Sequence, residues 1–218
     1  MYTLAELAAD AISVLDTYGC EKAYFVGHSM GGHICQQLAL DYPKRVTGFA
    51  AISSGPIGAT EDTDVPLSEL EKATLAKTWA LFLEREESKD LEARIKGFLV
   101  IWKYLNGSIP FDEQMARAYT IDLLTRTNHE IKSGNNHELV MRVLAQTLLS
   151  RRNLIKQIQV PALIIHGAQD PIALPRDAKA LANAISGSQL VMIPDMGHMI
   201  FNQELESEIA LIIRRSIG

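Results

Sequence analysis

Gly27-His28-Ser29-Met30-Gly31-Gly32 limits the fold more than any other stretch of the chain, because of what lies on either side of it. Ala23 to Val26 is a short apolar run, while Met30 to Asp41 has helical character and stops before Pro43. A strand that passes through a glycine turn straight into a helix is a βα unit, and repeated βα units build parallel sheets. The pattern recurs. Val46 to Ile52, Ala162 to His166 and Leu190 to Ile193 read as further buried strands. Thr3 and Glu6 have capping-box spacing, and Leu4, Leu7, Ala8, Ala11, Leu15 and Tyr18 follow at helical intervals until Gly19. A last helix is expected from about Gln203 to Arg215, with Glu204 and Glu206 in its first turn and Arg214 and Arg215 in its last, as the helix dipole favours.

Between Gly55 and about Ile158 the pattern changes, and helical periodicity replaces strands. Pro66, Ser88, Asn106-Gly107 with Pro110, and Ser133-Gly134 divide this stretch into four expected helices. A chain of 218 residues suits one core with an appended layer. The expected organisation is a first core part at 1–55, an inserted helical layer at 56–158 and a second core part at 159–218. The fold class is α/β, a parallel sheet flanked by helices.

Gly27-His28-Ser29-Met30-Gly31 is a G-x-S-x-G pattern, which arises by accident in about one in ten or twenty chains of this length. Its position between strand and helix gives it weight. A nucleophile elbow needs small neighbours, and Gly27, Gly31 and Gly32 are read as providing that room. Ser29 Oγ then projects above the sheet, with the Met30 backbone N–H at the helix start available to an oxyanion. A serine hydroxyl needs a base, and the base needs an orienting carboxylate. Asp170 follows the third strand in His166-Gly167-Ala168-Gln169-Asp170-Pro171, and His198 follows the fourth in Pro194-Asp195-Met196-Gly197-His198. In a parallel sheet both turns lie on the same rim as Ser29. The competing readings are a glycine turn that caps a helix for Ser29, a backbone-bonded loop histidine for His198, and an Asp-Pro turn starter for Asp170. Asp195 is the rival acid, but it lies too near His198 in sequence to reach the far ring nitrogen easily.

The residues GHSMGG, HGAQDP and PDMGH, in that order, resemble the nucleophile, acid and histidine segments of the α/β-hydrolase superfamily. The helical stretch after Ser53-Ser54-Gly55-Pro56 resembles its cap, in the branch of small esterases and aclacinomycin-methylesterase-like proteins. The resemblance implies a serine hydrolase that cleaves a small or medium apolar carboxylic ester, with Ser29 as nucleophile, His198 as base and Asp170 as acid. In that family the nucleophile usually follows a further strand-rich segment with a His-Gly loop that donates the second oxyanion N–H. His166-Gly167 precedes the acid and does not correspond to that loop. The expectation is an N-terminally shortened hydrolase whose strand at Ala23 to Val26 exposes a sheet edge, covered by a second copy of the chain or by a complementing N-terminal fragment. The alternatives are a catalytically impaired hydrolase-like binding module or fragment, and a lyase or cofactor-free oxygenase on the same triad.

His28, Trp79, Trp102, Tyr119 and Met199 are candidate pocket residues. Of Trp79, Phe82, Phe98, Trp102, Tyr104 and Tyr119, which could line an apolar pocket, most are read as holding the inserted helices together. His28 and His33 flank the elbow and are read mainly as packing residues. His129 and His137 lack metal-ligand spacing, so neither a metal nor an organic cofactor is expected. Glu84, Glu86 and Glu87 with Lys89 read as a solvated face. The net charge of −5 comes without a Lys/Arg cluster, so nucleic acid is not an expected partner. No apolar run is long enough for a bilayer and the N-terminus lacks a secretory pattern, which gives the expectation of a cytoplasmic protein without a membrane partner. Cys20 and Cys35 have no C-x-x-C spacing and read as buried free thiols.

Overall fold

The structure is a computed structural model and describes residues 3–84, 90–126 and 153–217. Its four strands are all parallel and stand side by side in chain order: β1 (Ala23–His28), β2 (Val46–Ile52), β3 (Ala162–Gly167) and β4 (Gln189–Ile193). Side chains alternate across a strand, and here both faces are covered. Phe49, Ala51 and Ile164 point to one face. They pack on Leu4 of α1 (Leu4–Thr17), on Cys35 and Ala39 of α2 (Met30–Asp41), and on a helix after β3. Ala50, Ile52, Leu163 and Ile165 point to the other and meet Leu205 and Ile209 of the last helix (Gln203–Ile217). That is why β2 and β3 read as near-continuous apolar runs.

The two outer strands differ from this centre. β4 is half-buried, and in β1 Val26 is 52% exposed. Among the described residues nothing pairs with the outer side of β1. Its inner side pairs along its length with β2, and Tyr24 Oη lies 3.0 Å from Ser216 Oγ of the last helix.

Three described helices lie between β2 and β3: α3 (Glu69–Leu83), α4 (Leu91–Leu105) and α5 (Glu113–Arg126). Ser68 and Glu71 form a capping box at the start of α3, and Asp90 caps α4 through the N–H groups of Glu92 and Ala93. Pro66 and Asn106-Gly107 thus mark real boundaries. Ser88, the Ser133-Gly134 break with the fourth expected helix, His129, His137, Glu86, Glu87 and Lys89 lie outside the described residues. Phe98, Trp102, Leu105, Ala116 and Leu124 form a separate apolar cluster, joined by Phe201 and Met199 from the loop after β4. The inserted helices therefore rest on the segment that carries His198.

Two expectations need correction. A helix between β3 and β4, α6 (Pro175–Ala184), is not among those that the apolar pattern predicts. Its buried face is mostly alanine, which gives a weak periodic signal; the usable clue was Pro175, well suited to a first helical turn. The last helix becomes α7. Cys20 is exposed, since it sits in the turn after α1, where its N–H bonds to Leu15 C=O. Only Cys35 is a buried thiol, and burial pushes it up to about 12, which makes it unreactive. Among the described residues no helix is long and apolar enough to cross a membrane.

Candidate active site

β1 hands over to α2 at Ser29, which has φ 54° and ψ −116°. A non-glycine residue there is strained by about 1–3 kcal/mol, so its surroundings must hold it. They do so through Ser29 N–H to Ile52 C=O at 2.8 Å, and through Gly32 N–H to Ser29 C=O at 2.9 Å. Gly27 and Gly32 supply the clearance, because a Cβ on the first would lie 2.1 Å from Gly31 O and on the second 2.5 Å from Ser54 Cβ. Gly31 does not have that role: a Cβ there would meet open space. Met30 opens α2, and a first-turn N–H has no acceptor within its own helix.

Asp170 reaches the same rim from the loop after β3 and is 3% exposed. Its Oδ1 accepts the N–H groups of Ile172 (2.8 Å) and Ala173 (3.0 Å), which leaves Oδ2 for His198 Nδ1 at 2.8 Å. With Nδ1–H donated to the carboxylate, His198 Nε2 is free to accept the hydroxyl proton of Ser29, whose Oγ is 3.1 Å away. The structure thus brings Ser29, His198 and Asp170 into one hydrogen-bonded line. Asp195 is outside it. Its carboxylate is on the surface and accepts from Ser108 Oγ–H at 3.0 Å.

Two further histidines surround the line. His28 Nε2 lies 2.7 Å from the His198 C=O, an acceptor only, so this nitrogen carries the proton. Burial, and then the charge of His198, push His28 down to about 4, so it stays a neutral donor. His166 is fully buried, donates Nε2–H to Ala173 C=O at 2.8 Å, and stands 3.6 Å from Asp170 Oδ2. Burial lowers its pKa as well. Sequence reasoning did not single out His166 as a neighbour of the Asp170 carboxylate, although it lies four residues from Asp170 in the same motif.

The pocket candidates separate. Trp102 is buried, stacks on Phe98 and donates its indole N–H to Thr120 Oγ1 at 2.9 Å, so it holds the inserted helices together. Tyr119 is partly exposed and packs edge-on against Trp102. Trp79 is more than half exposed beside Phe82. Met199 is partly buried and follows His198 in the chain. His33 is buried on α2. Among the described residues no group of His, Cys, Asp or Glu is arranged to hold a metal ion.

Sequence reasoning also missed the backbone junction beneath the triad. A Cβ on Gly167 would lie 2.2 Å from Met196 O, and one on Gly197 2.2 Å from Leu105 O. Both glycines stand in the quoted motifs, but only the structure shows that they let three loops touch main chain to main chain.

Comparison with known proteins gives a consistent picture. The sequence model of the alpha/beta hydrolase fold matches residues 1–205. Rhodomycin D methylesterase DnrP of Streptomyces peucetius is 31% identical over 209 residues, covering 91% of this chain and 68% of that protein. A putative carbamate hydrolase, RutD of Klebsiella pneumoniae, is 30% identical over 200 residues, with 90% and 66% covered. Among solved structures, Est816, described as an N-acyl homoserine lactone degrading enzyme, superposes with a TM-score of 0.65 at 26% identity, covering 98% of this chain and 74% of that one.

Proposed function

The chain belongs to the α/β hydrolase fold family and is a hydrolase of that type; from that premise we propose that it cleaves a small or medium apolar carboxylic ester through an acyl-enzyme on Ser29. The observation that carries this reading is the line Ser29 Oγ, His198 Nε2 (3.1 Å), His198 Nδ1, Asp170 Oδ2 (2.8 Å), drawn from three separate strand ends. His198 takes the Ser29 proton as Oγ attacks the ester carbonyl, and Asp170 orients the ring and stabilises the imidazolium. Negative charge gathers on the carbonyl oxygen beside the Met30 N–H, at the positive end of α2. His198 returns the proton to the leaving alcohol. It then activates water against the acyl-enzyme.

The ester preference is supported by the methylesterase relative, while the carbamate and lactone relatives act on neighbouring acyl chemistries. Tyr119, Trp79, Met199 and His28 are proposed to face the acyl or alcohol group, with Trp102 backing them from the helical core. The test is fluorophosphonate labelling with peptide mapping, together with a p-nitrophenyl ester assay on the same preparation. Modification at Ser29 with turnover is expected, and Ser29→Ala should abolish both. Well-folded protein that takes no label would overturn the reading.

A second reading is favoured by the outer side of β1, which no described residue pairs with; β1 is the strand that leads into Ser29. On this reading the protein is a weak hydrolase or a binding module until a second copy of the chain covers the edge. Specific activity that rises with protein concentration alongside dimer formation supports it; a monodisperse monomer with full activity sinks it.

A further inference from the structure

The loop that carries His198 is fastened to α4 through its main chain. The last carbonyls of a helix lack donors of their own, and here the loop supplies them. Leu105 C=O accepts both His198 N–H (2.6 Å) and Met199 N–H (3.0 Å), and Asn106 C=O accepts Gly197 N–H (3.1 Å). In return Ser108 N–H donates to Asp195 C=O at 2.9 Å. The Asn106 side chain completes the joint. It is fully buried, its Oδ1 accepts Phe201 N–H at 2.9 Å, and its Nδ2 donates to Ile109 C=O at 3.1 Å. One amide therefore links the far end of the histidine loop to the chain that leaves α4. Removing it would leave the Phe201 N–H unpaired in the interior, a penalty that holds the arrangement to one geometry. Gly107, with φ +77°, lets the two backbones touch, since a Cβ there would lie 2.5 Å from Asp195 O.

The ring of His198 meets core residues Ser29 and Asp170, but its N–H belongs to α4. We propose that Asn106 is a positioning residue: by clamping residues 195–201 to the end of α4, it sets the reach of His198 to Ser29 and makes the base move with the inserted helices. This rests on His198 being the base, as proposed above. A misplacement of about 1 Å can cost on the order of 10² in rate, so a loosened clamp should be visible in the chemistry before binding.

The experiment compares Asn106→Ala with the parent chain in Ser29 labelling rate, ester kcat and KM, and the pH profile of each. Expected are a fall of about tenfold to hundredfold in kcat and labelling, a KM changed by less than about threefold, and a displaced acidic limb of the pH profile, where protonation of the base switches activity off. A purely structural role would lower only the melting temperature. Folded Asn106→Ala with the parent's labelling rate and pH profile overturns the proposal. Amide exchange on the parent chain is the second readout and does not depend on the variant folding. The His198, Met199 and Phe201 amides should open together with the last turn of α4, and exchange unrelated to that turn also overturns it. His198→Ala labelled at the parent rate would instead sink the assignment of the base.

Discussion

Ser29 and His198 stand 3.1 Å apart, yet the chain holds them by different means. Ser29 sits between two elements that are consecutive in sequence, β1 and α2, and its N–H reaches only to the end of the next strand, at Ile52. His198 is held by Leu105 from the insertion, by His28 from β1 and by Asp170 from the loop after β3. The serine is placed by a local turn. The histidine is placed by agreement among segments far apart in sequence. A local device tolerates change elsewhere, whereas a collective one transmits it. The family's variety of acyl substrates is consistent with that division, since an insertion that bears on the base can alter selectivity without touching the elbow.

The comparison can be broken at several points. The largest effect should come from Asp170 on the collective side, with Asp195 as its control. Asp170→Asn should slow turnover about 10⁴-fold, because the imidazole loses the partner that fixes its tautomer, while Asp195→Asn should stay within a few-fold in the same assay. The reverse order would refute the acid assignment. Next comes a steric pair on the local side. Gly27→Ala forces a Cβ onto the Gly31 carbonyl and should cost about 3–5 kcal/mol in chemical denaturation, with labelling lost as the elbow deforms.

His28 joins the two sides, and its titration gives a third test. Its folded-state pKa of about 4 lies below the ordinary value of 6.5, so protons bind the unfolded chain more readily. Stability is whole above about pH 6.5, falls as pH drops from there, and levels off below about pH 4, with a loss of about 3 kcal/mol. His166 adds to the slope in the same direction. His28→Gln should flatten this acid limb in melting curves taken from pH 7 to pH 4; an unchanged slope would mean that His28 is not buried and neutral. The smallest effect is expected at Gly31→Ala, which meets open space in the first turn of α2 and should raise stability by up to about 1 kcal/mol with activity kept. A large loss there would show that the elbow needs clearance beyond what Gly27 and Gly32 provide.

This difference also decided what could be read from the sequence. β1, the elbow and α2 were legible because glycines, an apolar strand and a helical period lie within twenty residues of each other. Asp170 and His198 were legible as residues that follow strands, since a parallel sheet sends all such loops to one rim. The clamp at Asn106 was not legible. Asn106-Gly107 reads as a helix stop, and nothing in its neighbourhood announces that the carbonyls it frees will be taken by amides some ninety residues later. Trp102 shows the same limit from the other side, as an aromatic residue suits a pocket and a helical core equally until Thr120 and Phe98 are seen around it. α6 escaped because alanine buries too little surface to stand out in an apolar pattern.

The agreement of strand order with chain order has a consequence in time. A growing polypeptide can pair β1 with β2, and so form the serine turn, while β3, β4 and the histidine loop are still unmade. Closing the sheet across the helical insertion is then the longest loop to be ordered, and His198 arrives after it. In a synthesis or refolding time course, serine reactivity should therefore report the final docking step, well after the sheet has begun to assemble.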